Sequence, residues 1–250
     1  ISPAARIASS TDAPAKIVAV VHVCGEILRR MEYECWPMGD SALLLRFGSN
    51  IDPLVNATVH NAAAALTAAK LPGVREIAPS YAALVLVLDL LQLQRAGGVE
   101  GLQQRIRQTL ASITGVAPEA ARSVEIPVRY GAADGPDLGA VADAVGLSIA
   151  DVIEVHAGVE YQVAMLGFLP GFPYLLGLPE CLHIPRRSSI RSHVPAGSVA
   201  IAGAQAGIYP GDSPGGWHLI GRTGCRLFDA TSQQPALLLP GDRVRFVPVR

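Results

Sequence analysis

Cysteine, lysine, charge and long apolar runs are all scarce in this chain of 250 residues, and each scarcity excludes something. The four cysteines, Cys24, Cys35, Cys181 and Cys225, form no CxxC pair, and no Cys/His cluster has zinc-ligand spacing. A disulfide framework and a structural zinc are thereby excluded, and free, mostly buried thiols in a reducing, cytoplasmic compartment are expected. The longest largely apolar runs, Ile17–Cys24 and Ala82–Leu88, fall far short of the ~20 residues of a spanning helix, so no membrane partner is expected. Net charge is −1, from 20 Lys+Arg against 21 Asp+Glu, which removes the basic field that non-specific nucleic-acid binding needs. Lys16 and Lys70 are the only lysines, and neither follows a Met as a biotin-carrier lysine does. There is no Walker A loop and no GxGxxG after a strand.

Half of the chain is hydrophobic and 16% is charged, so a large core is expected and disorder is not. At this length roughly 75% of the unfolded chain's surface is buried on folding. Residues 1–30 read either as an upstream extension or as an ordinary N-terminal helix or strand, because Met31 opens a segment that looks like a natural start. From there the pattern alternates. Ser41–Phe47 reads as a strand. Asp52 at N-cap and Pro53 at N1 open an Ala-rich helix to about Lys70, which Leu71-Pro72-Gly73 stops. Val74–Ala78 and Tyr81–Asp89 read as strands. Leu102, Ile106, Leu110 and Ile113 give the 3.6 period of a helix over about Glu100–Ile113. Ser123–Tyr130 reads as the strand that closes a β-α-β-β-α-β, ferredoxin-like (split βαβ) unit.

Composition changes after Tyr130-Gly131. Two short helices are predicted near Pro136–Ala144 and Ser148–His156, the second with a capping box from Ser148 and Asp151. Beyond Val159 the short strands punctuated by Gly and Pro suit a barrel or sandwich, with Ala236–Leu239 and Val244–Val249 as closing strands. The fold class is therefore α+β in two domains. The boundary falls at 120–130, giving 31–122 and 123–250, with 1–30 set apart.

The chemistry concentrates in residues 156–223. The run Gly167-Phe168-Leu169-Pro170-Gly171-Phe172-Pro173-Tyr174 predicts a stiff loop presenting aromatic rings, either as a structural turn or as a pocket wall. Between Glu180 and Asp212 there is no acidic residue, yet Arg186, Arg187 and Arg191 stand there. Unopposed guanidinium forks suit a carboxylate or phosphate ligand; the alternative is a solvated basic loop. Ser198, Gln205, Tyr209 and Trp217 add hydroxyl, amide and aromatic groups to the same segment. His156, at the end of a predicted helix, is either a general base or a cap or core histidine.

These pieces resemble the KipI-like family, also called allophanate hydrolase subunit 1-like. The resemblance rests on PMGDSALLLRFG (37–48), LPGVREIAPSYAALVL (71–86), EIPVRYG (125–131), GPDL (135–138), LGFLPGFPYLLGL (166–178), PRR (185–187), VPAGSVAIAGAQAGIYP (194–210), SPGGWHLIGRT (213–223) and LFD (227–229). It implies a ferredoxin-like domain followed by a cyclophilin-like β-barrel. The family includes the B component of the bacterial ATP-dependent 5-oxoprolinase, which with subunits A and C hydrolyses 5-oxo-L-proline to L-glutamate. The resemblance thus implies ATP at the level of the complex, partner subunits A and C, and a small carboxylate or amide substrate. Other members imply an inhibitor that docks on a sensor histidine kinase, or half of a biotin-dependent carboxyltransferase.

In this light Arg191 and His156 are the catalytic candidates. Phe172, Arg186, Arg187, Ser198, Gln205, Tyr209, Trp217 and Arg222 are the substrate-binding candidates, with backbone N–H groups around Gly197-Ser198 as further anion donors; no metal site is expected. The chain departs from the family's PRR-x-x-PR-x-R-VP at Ile190 and His193, where Pro and Arg are usual, and at Gly224, where Pro is usual.

Overall fold

A computed structural model describes residues 15–20, 30–113 and 122–250. The chain divides into two compact units, residues 1–119 and 120–250.

In the first unit, strands β1 (Ala15–Val20), β2 (Arg30–Pro37), β3 (Ala42–Arg46), β4 (Val74–Pro79) and β5 (Ala83–Leu88) form one antiparallel sheet in the order β1-β2-β3-β5-β4. Helices α1 (Pro53–Ala68), α2 (Leu90–Arg95) and α3 (Gly98–Ala111) complete it. The start of α1 follows from its sequence: the Asp52 carboxylate accepts the Leu54 and Val55 N–H groups at 2.7 and 3.3 Å, and Pro53 has no N–H to leave unpaired. Strand alternation turns Leu43, Leu45, Leu84, Leu86 and Leu88 inward, where they meet Val59, Ala62 and Leu66 of α1 and Leu102, Ile106 and Leu110 of α3.

Two sequence expectations need correction here. Asp89 does not end a strand quietly; its carboxylate accepts the Gln92 N–H at 3.0 Å and starts the short helix α2. Nor does Ser123–Tyr130 close this sheet. The place beside β3 that a ferredoxin-like unit gives to its last strand is taken by β2, from the N-terminal side, with β1 outside it. The six-residue stretch Ala15–Val20 of the extension is thus a strand; the rest of residues 1–29 lies outside the described residues.

In the second unit, Ser123–Tyr130 is β6 of a closed barrel. It runs parallel to β14 (Arg243–Pro248) and antiparallel to β13 (His218–Arg222). β7 (Glu160–Leu166), β8 (Pro173–Leu176), β10 (Ser198–Ala202) and β11 (Gln205–Ile208) close it, in the order β10-β11-β8-β7-β14-β6-β13. β9 (Arg191–Val194) and β12 (Ser213–Gly215) form a separate two-stranded arm. Ala236–Leu239 is not a strand; Ala236 makes a single bridge to Phe228. Helices α4 (Leu138–Val145) and α5 (Ile149–Ala157) flank the barrel, and α5 carries the expected capping box between Ser148 and Asp151.

Every residue of β10 is buried, because the strand is covered on both faces. Val199 and Ile201 face the barrel core with Ile126, Val128, Ile208, Ile220 and Val244. Ala200 and Ala202 face a smaller cluster built from Phe172, Tyr209, Trp217, Val194 and Leu219. Of the described cysteines Cys35 is buried, Cys225 half-buried and Cys181 exposed, so the thiols are less uniformly buried than expected. No helix among the described residues is long and apolar enough to cross a membrane.

His156 is fully buried in the barrel core. Its ring stacks on Phe246 at 4.6 Å, Nδ1 shares a 2.8 Å hydrogen bond with the Tyr130 hydroxyl, and the Tyr161 hydroxyl donates to its carbonyl at 2.9 Å. Desolvation drives its pKa down to about 3. The unfolded state therefore binds a proton below pH ~6.5 that the folded state refuses until about pH 3. Stability is full above that window, and the His156 contribution falls by about 1.4 kcal/mol per pH unit on acidification through it. Urea denaturation of the wild type and of His156→Gln across pH 3.5–7 should show this slope only in the wild type.

Candidate functional site

The aromatic cluster on the outer face of β10 is built by the loop between β7 and β8. Pro170 and Pro173 stiffen this loop, and its ends are joined by the Gly167 N–H to Phe172 carbonyl bond (3.2 Å) and the Phe172 N–H to Leu169 carbonyl bond (3.0 Å). The loop drives Phe172 under the surface. Its ring stands nearly perpendicular to Tyr209 (5.1 Å) and Trp217 (5.8 Å) and tilted against Tyr174 (4.9 Å). Such edge-to-face pairs contribute about 0.5–1.5 kcal/mol each beyond simple burial. Close approach to β11 needs a glycine there: a Cβ on Gly207 would stand 2.9 Å from the Phe172 ring. Above this floor lies a pocket of about 290 Å³, bounded by Phe168, Tyr174, Arg186, Ile190, Tyr209, the Pro214-Gly215-Gly216 segment at the end of β12, and Trp217.

One carboxylate organises the charge around it. Asp137, just before α4 and almost fully buried, accepts Arg187 Nη1 (2.8 Å), Arg191 Nη1 and Nη2 (2.8 and 2.6 Å) and the Leu219 backbone N–H (2.8 Å). Burial pushes this carboxyl up, but the Arg191 hydrogen bonds, the Leu219 N–H and the charges of Arg191 and Arg187 outweigh it, so it titrates below the usual range. Arg187 also donates its backbone N–H to the Gly216 carbonyl at 2.9 Å, which fastens the arginine loop to the pocket's far wall.

Arg187 and Arg191 are therefore not unopposed, as the acid-free stretch around them suggests. Arg186 is different. Its guanidinium lies 5.9 Å from the Trp217 ring centre, lines the pocket, and has no acidic partner among the described residues. Burial pushes the Tyr209 hydroxyl above its ordinary value, against the Trp217 backbone N–H that it accepts and nearby Arg186 and Arg191, so it serves as a neutral hydroxyl. Among the described residues no group of three or more His, Cys, Asp or Glu side chains is placed to hold a metal ion.

The chain matches the family described as "Carboxyltransferase domain, subdomain C and D" over residues 33–238. It belongs to that family. The chain is 41% identical to the B component of the Bacillus subtilis 5-oxoprolinase, over 88% of its own length and 94% of that protein. It is 44% identical to the corresponding 5-oxoprolinase component of Escherichia coli, over 86% and 95% of the two chains. Among solved structures it resembles TTHA0988, with a TM-score of 0.72 and 40% identity over 84% of this chain; it spans only 40% of the TTHA0988 chain.

Within this carboxyltransferase-family barrel the structure gathers four of the expected site residues, Phe172, Arg186, Tyr209 and Trp217, at one pocket. It disperses the others. Arg187 and Arg191 lie behind the wall, on Asp137. Ser198 is buried with its hydroxyl donated to the Pro195 carbonyl at 2.7 Å. The Gly197 and Ser198 N–H groups go to the carbonyls of Tyr209 and Pro195, so they are not available as anion donors. Gln205 opens β11 across from Ala202, away from the lining. Arg222 donates to the Ala196 carbonyl at 2.9 Å and braces the chain there. His156 is a core residue, sealed from solvent and from the pocket.

Asp137 itself is the residue that sequence reasoning missed. Its signal was present in the GPDL motif, which reads as a Gly/Pro/Asp connector until the fold brings it 50 and 54 positions forward onto the arginines. Removing its charge leaves two guanidiniums facing each other with no counter-ion. Asp137→Asn should lose about 2–4 kcal/mol of stability in urea denaturation. Arg226→Ala, which breaks an exposed ion pair with Asp229, should change the midpoint little in the same assay.

Proposed function

We propose that this chain is the B component of an ATP-dependent 5-oxoprolinase, acting with subunits A and C to hydrolyse 5-oxo-L-proline to L-glutamate in the cytoplasm. The near full-length likeness to two proteins of that name supports the assignment. The observation that carries the site is the Arg186 guanidinium standing without an acid beside an aromatic floor. 5-Oxoproline is a small, nearly flat lactam ring bearing one carboxylate. The methylene face suits the rings of Phe172, Tyr209 and Trp217, and the carboxylate suits Arg186, where a charge-assisted hydrogen bond is about twice as strong as a neutral one. Arg187 and Arg191 outnumber the one carboxylate that holds them, so the wall behind the pocket keeps a net positive charge that favours an anion.

The lining contains no Cys, His, Asp, Glu, Ser or Thr. On this reading the chain binds and orients the lactam, and the groups that activate water come from elsewhere in the complex. One guanidinium is also a poor cradle for a triphosphate, so the pocket does not fit ATP, and ATP use is assigned to the complex as a whole. Carboxyl transfer is a second reading, favoured by the family description; it requires a carboxybiotin carrier from another chain.

The test is 5-oxoproline-dependent ATP hydrolysis by the three reconstituted subunits, with and without this chain. Turnover should require the chain. Arg186→Ala should raise the KM for 5-oxoproline about 10- to 100-fold, and Arg186→Lys should recover part of it. Turnover indifferent to the chain, or appearing only with a biotinylated carrier and a carboxyl acceptor, rejects the assignment.

A further inference from the structure

Phe168 stands out in the pocket loop for two reasons that do not favour the free protein. Its backbone is left-handed, with φ +65°, a conformation that bulky side chains rarely adopt. The Leu169 N–H reaches back to the Gly167 carbonyl at 2.7 Å, so Phe168 is the centre of a three-residue turn of the positive-φ kind, which is rare and strained. The same loop supplies two glycines, Gly167 and Gly171, and its other left-handed residue is one of them, Gly171 at φ +80°. A glycine at 168 would adopt this turn without steric cost.

The second reason is exposure. Although aromatic, the Phe168 side chain is not used as core: the residue is 61% exposed. The ring is nevertheless placed, edge-on to Phe172 at 5.6 Å and to Tyr209 at 6.3 Å, on the lip of the pocket. Ile190, 76% exposed, also borders the pocket, and Arg186 is part of the same lining. Ile190 leans over the Gly216 backbone, where a Cβ would stand 3.7 Å from its Cγ1. Strain held at a residue that the fold does not need, at the mouth of an aromatic pocket, points from the outlier to a ligand.

We infer that Phe168 is a ligand-contacting residue: the strained turn holds its ring over the pocket, so that with Ile190 it covers the apolar face of a small ring carboxylate whose charge lies on Arg186. The inference rests on the reading that this pocket takes the lactam. It predicts that position 168 contributes to affinity and adds no net stability, because the strained turn offsets the two edge-on ring contacts, the reverse of a core aromatic.

The experiment uses the complete three-component enzyme and the chain alone. Phe168→Gly removes the ring and relieves the turn, whereas Phe168→Leu keeps apolar cover and keeps the strain. Phe168→Gly should leave the melting temperature of the chain unchanged or higher and raise the KM for 5-oxoproline about tenfold, with kcat within about threefold of wild type. Phe168→Leu should fall between the two in KM. A wild-type KM in Phe168→Gly overturns the inference. So does a sharp fall in melting temperature, which makes the ring a core element. So does weaker assembly of the complex on gel filtration with unchanged KM in the assembled enzyme, which assigns the ring to an interface between its components. Should the wild-type complex not turn over 5-oxoproline, the functional reading fails, and the inference is decided separately. Tryptophan fluorescence of the chain alone, titrated with 5-oxo-L-proline, L-proline and cyclopentanecarboxylate, then reads binding at Trp217. Saturable quenching at least tenfold weaker in Phe168→Gly supports it, and equal or absent quenching in both proteins overturns it.

Discussion

The hydrogen bonds that converge on Asp137 decide what the rest of the site is able to do. A carboxylate this deeply buried is costly to desolvate, and it stays charged because two guanidiniums and a backbone N–H surround it. In return it joins three segments that the sequence keeps far apart: the connector before α4, the arginine loop and the start of β13. The arginine loop then carries Arg186 and Ile190 to the pocket with both of its flanking arginines, 187 and 191, tied down. Two of three neighbouring cations are spent on architecture. The third is left beside Trp217, and its position follows from the anchoring of the other two.

A second constraint sets the shape of the floor. β10 divides the barrel core from the aromatic cluster, and its side chains sort by size: Val199 and Ile201 toward the core, Ala200 and Ala202 toward the rings. Large residues at the alanine positions would occupy the space of Phe172 and Trp217. Gly207 on the neighbouring strand makes the same allowance. The pocket is therefore a consequence of small residues on the outside of a closed barrel, an arrangement open to the barrel fold without any change to its core. His156 illustrates the converse, because its helix and β14 place it inside that core, where it is a neutral packing ring rather than a base.

What could be read from the sequence was what is local. Asp52-Pro53 and Ser148-x-x-Asp151 mark helix starts because the capping atoms are three residues or fewer from their partners. The aromatic loop at 167–174 was legible for the same reason, since its prolines and glycines act on their own backbone. Partners across the chain were not legible. Ser123–Tyr130 has strand character in either unit, and only its pairing with β13 and β14 assigns it to the barrel. Ala236–Leu239 has the apolar run of a strand, but Leu238 is buried from a loop that makes one bridge. The arginines read as unopposed along the chain because their acid, Asp137, stands 50 and 54 positions away. Ser198 looked like a donor because its hydroxyl, taken alone, gives no sign of the Pro195 carbonyl that occupies it.

The same distinction explains why the proposed role is one of binding rather than bond cleavage. The groups that the sequence offers for chemistry at Arg187, Arg191, Ser198, Arg222 and His156 each make a hydrogen bond that holds the barrel or its loops. Such groups cannot serve a reaction without first abandoning the fold. The features that remain uncommitted are of another kind: a guanidinium with no counter-ion among the described residues, and two exposed apolar side chains at the mouth of the pocket, one of them on a strained turn. None of these can move a proton at neutral pH, yet together they match an anion with an apolar ring. On the proposed reading, a chain with this division of labour contributes affinity and orientation, the part of a multi-component hydrolase that can be separated from the groups that break the amide.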